Sequence, residues 1–224
     1  MFQVEQSDYL TIIRLKNPML CLSSAVFGGG LRLIKNIINC TLSDQFLEFP
    51  EEMIDFCKNL AIKHDCCQQS TAVLLTAVPQ KYGVWSESGY CFVTAGLGNA
   101  VPLLKKKENK VEEKLFCFPG TINTISLIPK ALSETALIEA FGLVKISIAS
   151  IVSQWSFALY GEKNICVGTP TDCSLVICPL SKNQLSFAGL NTEIGEETVK
   201  NISEALFSVI SKKYPSFYRS NRPI

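Results

Sequence analysis

Two apolar strand-like runs on either side of a helix-length apolar stretch narrow the folds open to this chain. Thr121–Ile128 is apolar and rich in β-branched residues, and Cys173–Cys178 is a second short apolar run; both read as strands. Between them, Ala131–Leu159 is apolar but broken by Ser133, Glu134, Glu139, Lys145 and Gln154. It reads as a mostly buried helix, capped by Ser133 and running to about Ser153. No uninterrupted run reaches the roughly 20 apolar residues that a membrane helix requires, so no membrane association is expected.

The first half is strand-rich. Phe2–Glu5 and Tyr9–Leu15 read as an antiparallel pair turning at Ser7-Asp8, and Met19–Ala25 as a further strand ending at Gly28-Gly29-Gly30. Ile34–Cys40 and Tyr90–Ala95 are expected strands, and residues 71–78, apolar and open to strand or helix, read rather as a strand. Pro50-Glu51-Glu52 places proline and acids where a helix begins, and Met53, Phe56, Cys57, Leu60 and Ala61 follow with helical spacing. Leu115–Phe118, Ile165–Val167 and Leu185–Ala188 are expected strands. The final helix has Thr192 as cap, Glu193, Glu196 and Glu197 in its first turn and Lys212-Lys213 at its end. The expected class is α/β (or α+β), a single domain over 1–224 with a mixed sheet covered by helices. Residues 105–114 read as a surface loop and 216–224 as a loosely held tail.

With 47% hydrophobic and 18% charged residues among 224, the chain can bury a sizeable core. A net charge of +1 offers no basic face for a phosphate backbone, so no nucleic-acid partner is expected. Lys105-Lys106-Lys107 is followed by acids and reads as a solvated loop. The ten cysteines include several inside apolar runs, where a thiol behaves as a small hydrophobe. With no signal-peptide pattern at Met1–Asp8, a reducing cytoplasm is the expected setting. The one histidine, His64, has only Cys66-Cys67 nearby, and no Cys-x-x-Cys occurs; no metal site is expected. The hydrophobic content is compatible with a homodimer.

Four loops combine glycine with small polar residues at strand ends: Ser23-Ser24-Ala25 leading to Gly28-Gly29-Gly30, Gly96-Leu97-Gly98-Asn99, Gly120-Thr121-Ile122-Asn123 and Gly168-Thr169-Pro170-Thr171-Asp172. Glycine admits backbone N–H groups close to a ligand, and Ser, Thr and Asn supply directional hydrogen bonds. The same loops also serve as ordinary turns. There is no Gly-x-Ser-x-Gly elbow, Walker loop or dinucleotide fingerprint. Asp172, between hydroxyl residues and an apolar strand, is either a general base of raised pKa or a loop cap accepting backbone N–H bonds.

In series, these blocks resemble the adenosylcobinamide amidohydrolase family. Leu22-Ser23-Ser24-Ala25 with the glycines is similar to its opening block, Thr94 to Asn99 to its Thr-x-Gly-Leu segment, and Gly120 to Ile125 to its Gly-Thr-Ile-Asn strand entry. Gly168 to Asp172 resembles its Gly-Thr-x-Thr-Asp, and Phe187-Ala188-Gly189 with Thr192 and Gly195 its closing block. The resemblance implies hydrolysis of the amide between the corrin ring and the aminopropanol arm of adenosylcobinamide, giving adenosylcobyric acid. It implies no separate cofactor, since the substrate itself carries cobalt, and an adenosylcobinamide-type corrinoid as partner.

Amide hydrolysis needs an activated water and donors for the oxyanion. The resemblance offers Asp172 as base and Thr169, Thr171 and Asn123 as donors. Ser23, Ser24, Gly29, Gly30, Gly98, Asn99, Gly120, Thr121, Asn191 and Thr192 are the expected substrate contacts. Two positions depart from the family pattern. Asn191 stands where the family reads histidine in Ala-Gly-Pro-His-Thr, and the stretch around Lys145-Ile146-Ser147-Ile148 replaces its Thr-Glu-Ala-Lys, leaving no carboxylate at Ile146. A corrinoid-binding relative without hydrolysis is the alternative that these departures raise.

Overall fold

The computed structural model describes residues 2–42, 50–100, 102, 120–160 and 165–214. In chain order it contains β1 (Phe2–Gln6), β2 (Leu10–Ser23), β3 (Gly30–Thr41), α1 (Pro50–Lys63), β4 (Thr71–Thr76), β5 (Val84–Trp85), β6 (Cys91–Ala95), β7 (Ile122–Leu127), α2 (Glu134–Tyr160), β8 (Cys173–Cys178) and α3 (Glu193–Lys213). Among the described residues these strands form one mixed sheet ordered β4-β3-β2-β8-β7-β6-β5, with β1 beside β2. The expected α/β class with a helix-covered mixed sheet is what the chain adopts. The expected strand at Leu115–Phe118, the 105–114 loop and the 216–224 tail lie outside the described residues.

β2 is one strand where the sequence suggested two. Arg14 pairs with Asn36 and Met19 with Ile34, so five steps along β2 face two along β3. The extra residues, with Pro18 among them, form an irregularity at which β2 changes its other neighbour. Before it β2 pairs with β1, and after it with β8. Proline cannot donate to a ladder, and a position between two neighbours is where that loss costs least. Pairing to β3 on both sides of the irregularity keeps the strand whole.

The bent sheet folds over onto itself. Asn123 on β7 donates from Nδ2 to Asn39 Oδ1 on β3 at 2.7 Å and to the Leu75 carbonyl on β4 at 3.0 Å, although β7 is a neighbour of neither strand in the sheet order. Ile13, Ile34, Leu74, Phe92, Ile125 and Leu175 fill the space between the two halves. Outside one half, α2 and α3 cover β6, β7 and β8 through Ala136, Val144, Ile148, Val176, Ile202 and Leu206. Outside the other half, α1 lays Cys57 and Ala61 on Ile12, Ile38 and Val73. The layers therefore run helices, strands, strands, helix.

α2 is longer than the spacing predicted because Val152 and Trp155 carry its buried stripe past Ser153. By length and composition Glu134–Ala158 is apolar enough to cross a membrane, yet half of its 18-residue apolar window is buried inside the fold. Two expected strands are not strands. Cys166 makes an isolated bridge to Pro102, and Leu185 one to Leu132. The 185–188 segment is claimed by α2 instead, where Glu139 accepts the Ala188 N–H at 2.7 Å.

Candidate active site

Strand direction decides which loops meet. β2 is antiparallel to β8, β7 is parallel to β8, and β6 is antiparallel to β7. The exits of β2 and β6 and the entries of β3, β7 and β8 therefore share one end of the sheet. Ser23, Ser24, Gly29, Gly30, Gly98, Asn99, Gly120, Thr121, Thr169, Thr171 and Asp172 all lie at that end, in loops or at strand termini.

Specific bonds tie these loops together. Ser24 N–H donates to the Ser174 carbonyl and Ser24 Oγ accepts the Ser174 N–H, both at 3.0 Å. Thr121 Oγ1 donates to the Thr171 carbonyl at 2.8 Å, and Thr171 Oγ1 to the Gly120 carbonyl at 3.3 Å. Gly96 N–H donates to the Thr121 carbonyl at 3.0 Å. A side chain at Gly120 would place its Cβ against the Gly96 carbonyl and 2.7 Å from Asn99 Oδ1. Only glycine lets these two loops close to that distance.

Asp172 is at the centre of the cluster. Its Oδ1 accepts the Ile122 N–H at 2.8 Å and the Thr169 hydroxyl, and its Oδ2 accepts the Thr169 N–H at 2.9 Å. A Cβ on Gly168 would lie 2.5 Å from Oδ2, so glycine is what allows the carboxylate to settle on the backbone there. An ionised carboxylate offers about four acceptor positions, and three are used, which leaves one on Oδ2. Burial pushes the Asp172 pKa up. The Thr169 and Ile122 hydrogen bonds and the charge of Lys145 pull it down without cancelling that rise. Both readings of Asp172 from sequence thus have a physical counterpart: it caps the loop, and its proton affinity is raised.

Three predicted residues lie elsewhere. Asn123 points between the sheet halves and is fully buried, bonded to Asn39 and the Leu75 carbonyl. Asn39 in turn donates to Gln80 and Thr94. Asn191 and Thr192 follow the far end of β8, near the start of α2. Asn191 adopts φ 70°, a left-handed conformation that Asn tolerates better than most residues. Thr192 accepts the Gly195 N–H at 3.0 Å and donates to the Gly189 carbonyl at 2.8 Å, as the cap of α3.

Lys145 was missed as a site residue. It lies half-buried on α2, and its charge acts on both Asp172 and Cys173. Burial lowers its pKa, against the opposing pull of those two groups. The signal in sequence was a lone lysine within an apolar helical run, which reads equally well as a mere interruption. Cys173 itself is not a ready nucleophile, because burial pushes its thiol up to about 11 and keeps it protonated near neutral pH. A half-buried acid of raised proton affinity within reach of the charge of a lysine of lowered proton affinity is a pair suited to proton transfer.

A family model for adenosylcobinamide amidohydrolase matches residues 2–216 of the 224. The chain belongs to the adenosylcobinamide amidohydrolase family. No curated protein matches closely enough to add to that assignment. Among the family's sequence blocks, those at Ser23–Ala25, Gly96–Asn99, Gly120–Thr121 and Gly168–Asp172 converge at one end of the sheet. The closing block of this adenosylcobinamide amidohydrolase family member, which contains Asn191, sits at the other end and shapes the start of α3.

Proposed function

We propose that this protein hydrolyses the amide joining the corrin ring to the aminopropanol arm of adenosylcobinamide, releasing adenosylcobyric acid in a corrinoid salvage step. The observation that carries this reading is the Asp172 carboxylate. It is half-buried with a raised pKa, one acceptor position is left over, and it sits where four family loops meet. In this account Asp172 takes a proton from the attacking water, while backbone N–H groups of the glycine loops supply donors for the oxyanion, joined by Thr171 once its hydroxyl turns from the Gly120 carbonyl. Thr169 acts through Asp172, because its hydroxyl is already committed to that carboxylate. In this account the reaction takes place in the cytoplasm.

A second reading, corrinoid binding without hydrolysis, is favoured by one observation. Three hydrogen bonds hold the Asp172 carboxylate as they would a purely structural cap. Incubation with adenosylcobinamide followed by mass analysis, alongside calorimetry, separates the two. Product formation supports hydrolysis, whereas tight binding with no product supports the second reading. Neither binding nor product removes both.

A further inference from the structure

We propose that Lys145 is a second catalytic residue of this site, its ammonium delivering the proton to the amine nitrogen that leaves the carbonyl carbon. The inference rests on the amide hydrolysis proposed above and adds the acid that such a reaction needs. α2 crosses the outer face of β8, fixed there by Val144 and Ile148 against Val176 and Cys178. That packing leaves Lys145, between them in sequence, half-buried and near enough to the entry of β8 for its charge to act on Asp172 and Cys173. The Lys145 Nζ lies 5.6 Å from the centroid of the Phe141 ring. Among the described residues no direct ion pair joins it to Asp172. Lys145 therefore acts on Asp172 through its charge without being locked to it.

The strands beneath α2 add a second observation. Thr124 and Ser174 are register partners on β7 and β8, and both hydroxyls are buried without a hydrogen-bond partner. Polar groups taken from water usually find partners. Two unpartnered hydroxyls one residue inward from Asn123 and Cys173 mark the outer face of these strand entries as a place for polar atoms. Ser24, already bonded to the Ser174 backbone, borders the same spot.

The proton and electron balance is complete with these two residues. Water oxygen attacks the amide carbon as Asp172 takes one of its protons, and the carbonyl π pair moves to oxygen. When the oxyanion collapses, the C–N bond breaks with its electron pair going to nitrogen, and Lys145 transfers a proton to that nitrogen. Carboxylic acid and amine leave, and the proton held by Asp172 returns to Lys145 through solvent. The lowered proton affinity of Lys145 makes it a better donor than a free lysine near neutral pH.

The test uses the full chain with adenosylcobinamide, comparing wild type, Lys145→Met and Lys145→Arg for kcat, KM, calorimetric Kd and pH profile. Methionine preserves the length and suits a half-buried position, so the fold is expected to persist, and the thermal midpoint checks it. Lys145→Met should lower kcat by about 100-fold or more with little change in Kd, and its residual rate should lose the alkaline limb of the profile. Cys173 is the other titrating group on which the charge of Lys145 acts, at about 11, so an alkaline limb retained in Lys145→Met overturns the assignment. Arginine keeps the positive charge but does not release its proton, so Lys145→Arg should remain slow. An arginine variant at wild-type rate shows that only charge is needed and overturns the proton-donor role. An active wild type with an unimpaired methionine variant overturns Lys145 alone; a wild type without turnover overturns the hydrolytic reading together with it.

Discussion

Asp172 Oδ1 accepts the backbone N–H of Ile122 at 2.8 Å, so the loop that enters β8 is bonded to the first residue of β7. The two strands are parallel neighbours, and their register begins one residue further on, at Asn123 and Cys173. The carboxylate thus substitutes for the missing next rung of the ladder. This ties the chemistry of the site to its architecture, and a change at either partner alters both.

Asp172→Asn should abolish turnover and lower stability together. One oxygen becomes an NH2 group, and whichever way the amide turns, a donor meets a donor from Thr169 or Ile122. Losing such a bond at a half-buried site costs about 1–3 kcal/mol. Urea midpoints and product mass measure the two effects, and an Asn variant that turns over normally removes Asp172 from the mechanism.

The raised Asp172 pKa also predicts a pH effect on folding. An acid whose folded pKa lies above its unfolded value holds its proton more tightly when folded. Its contribution is therefore greatest in acid and is lost as pH rises from the ordinary carboxylate range through the folded pKa. The difference in unfolding free energy between wild type and Asp172→Asn should shift across that window in this sense. A difference independent of pH contradicts the burial effect.

Gly120→Ala should be among the most disruptive small substitutions. Its methyl meets the Gly96 carbonyl and Asn99 Oδ1, and the first of these is backbone that cannot swing aside. Overpacking of this kind costs about 1–3 kcal/mol. Chemical denaturation should show the loss, and an unchanged midpoint would mean that the two loops do not close as described.

Thr192→Ala should cost about 1 kcal/mol through loss of the α3 cap. Asn123→Ala should cost about 1–3 kcal/mol, since it leaves Asn39 Oδ1 and the Leu75 carbonyl without their donor inside the folded sheet. Both are read from denaturation midpoints. A neutral Asn123→Ala would show that the interior network does not hold the sheet halves together.

Local signals in the sequence carried the helices and most strands. The cap and charges of α3, the acids after Pro50 in α1 and the apolar run of β7 each act within a few residues, so spacing reveals them. The loops of the site were legible for the same reason, since glycine and hydroxyl residues cluster where strands end. The fold-over of the sheet was not, because it depends on β2 passing through Pro18 while β3 holds it, and on Asn39 meeting Asn123 across 84 positions. Asn123 looked like a donor of the Gly120 loop, yet strand alternation turns it inward. Leu185–Ala188 looked like a strand, but it makes only an isolated bridge at Leu185, and a carboxylate on α2 takes the Ala188 N–H. Lys145 escaped because its meaning comes from the strand end that α2 happens to cross.

The most direct measurement is a time course of purified protein with adenosylcobinamide, with wild type and Asp172→Asn run in parallel and every species read by mass. Conversion to adenosylcobyric acid and the amino alcohol by wild type, with intact substrate in the variant, is the predicted result. Intact substrate with wild type, or equal product from both proteins, would contradict an Asp172-dependent amidohydrolase.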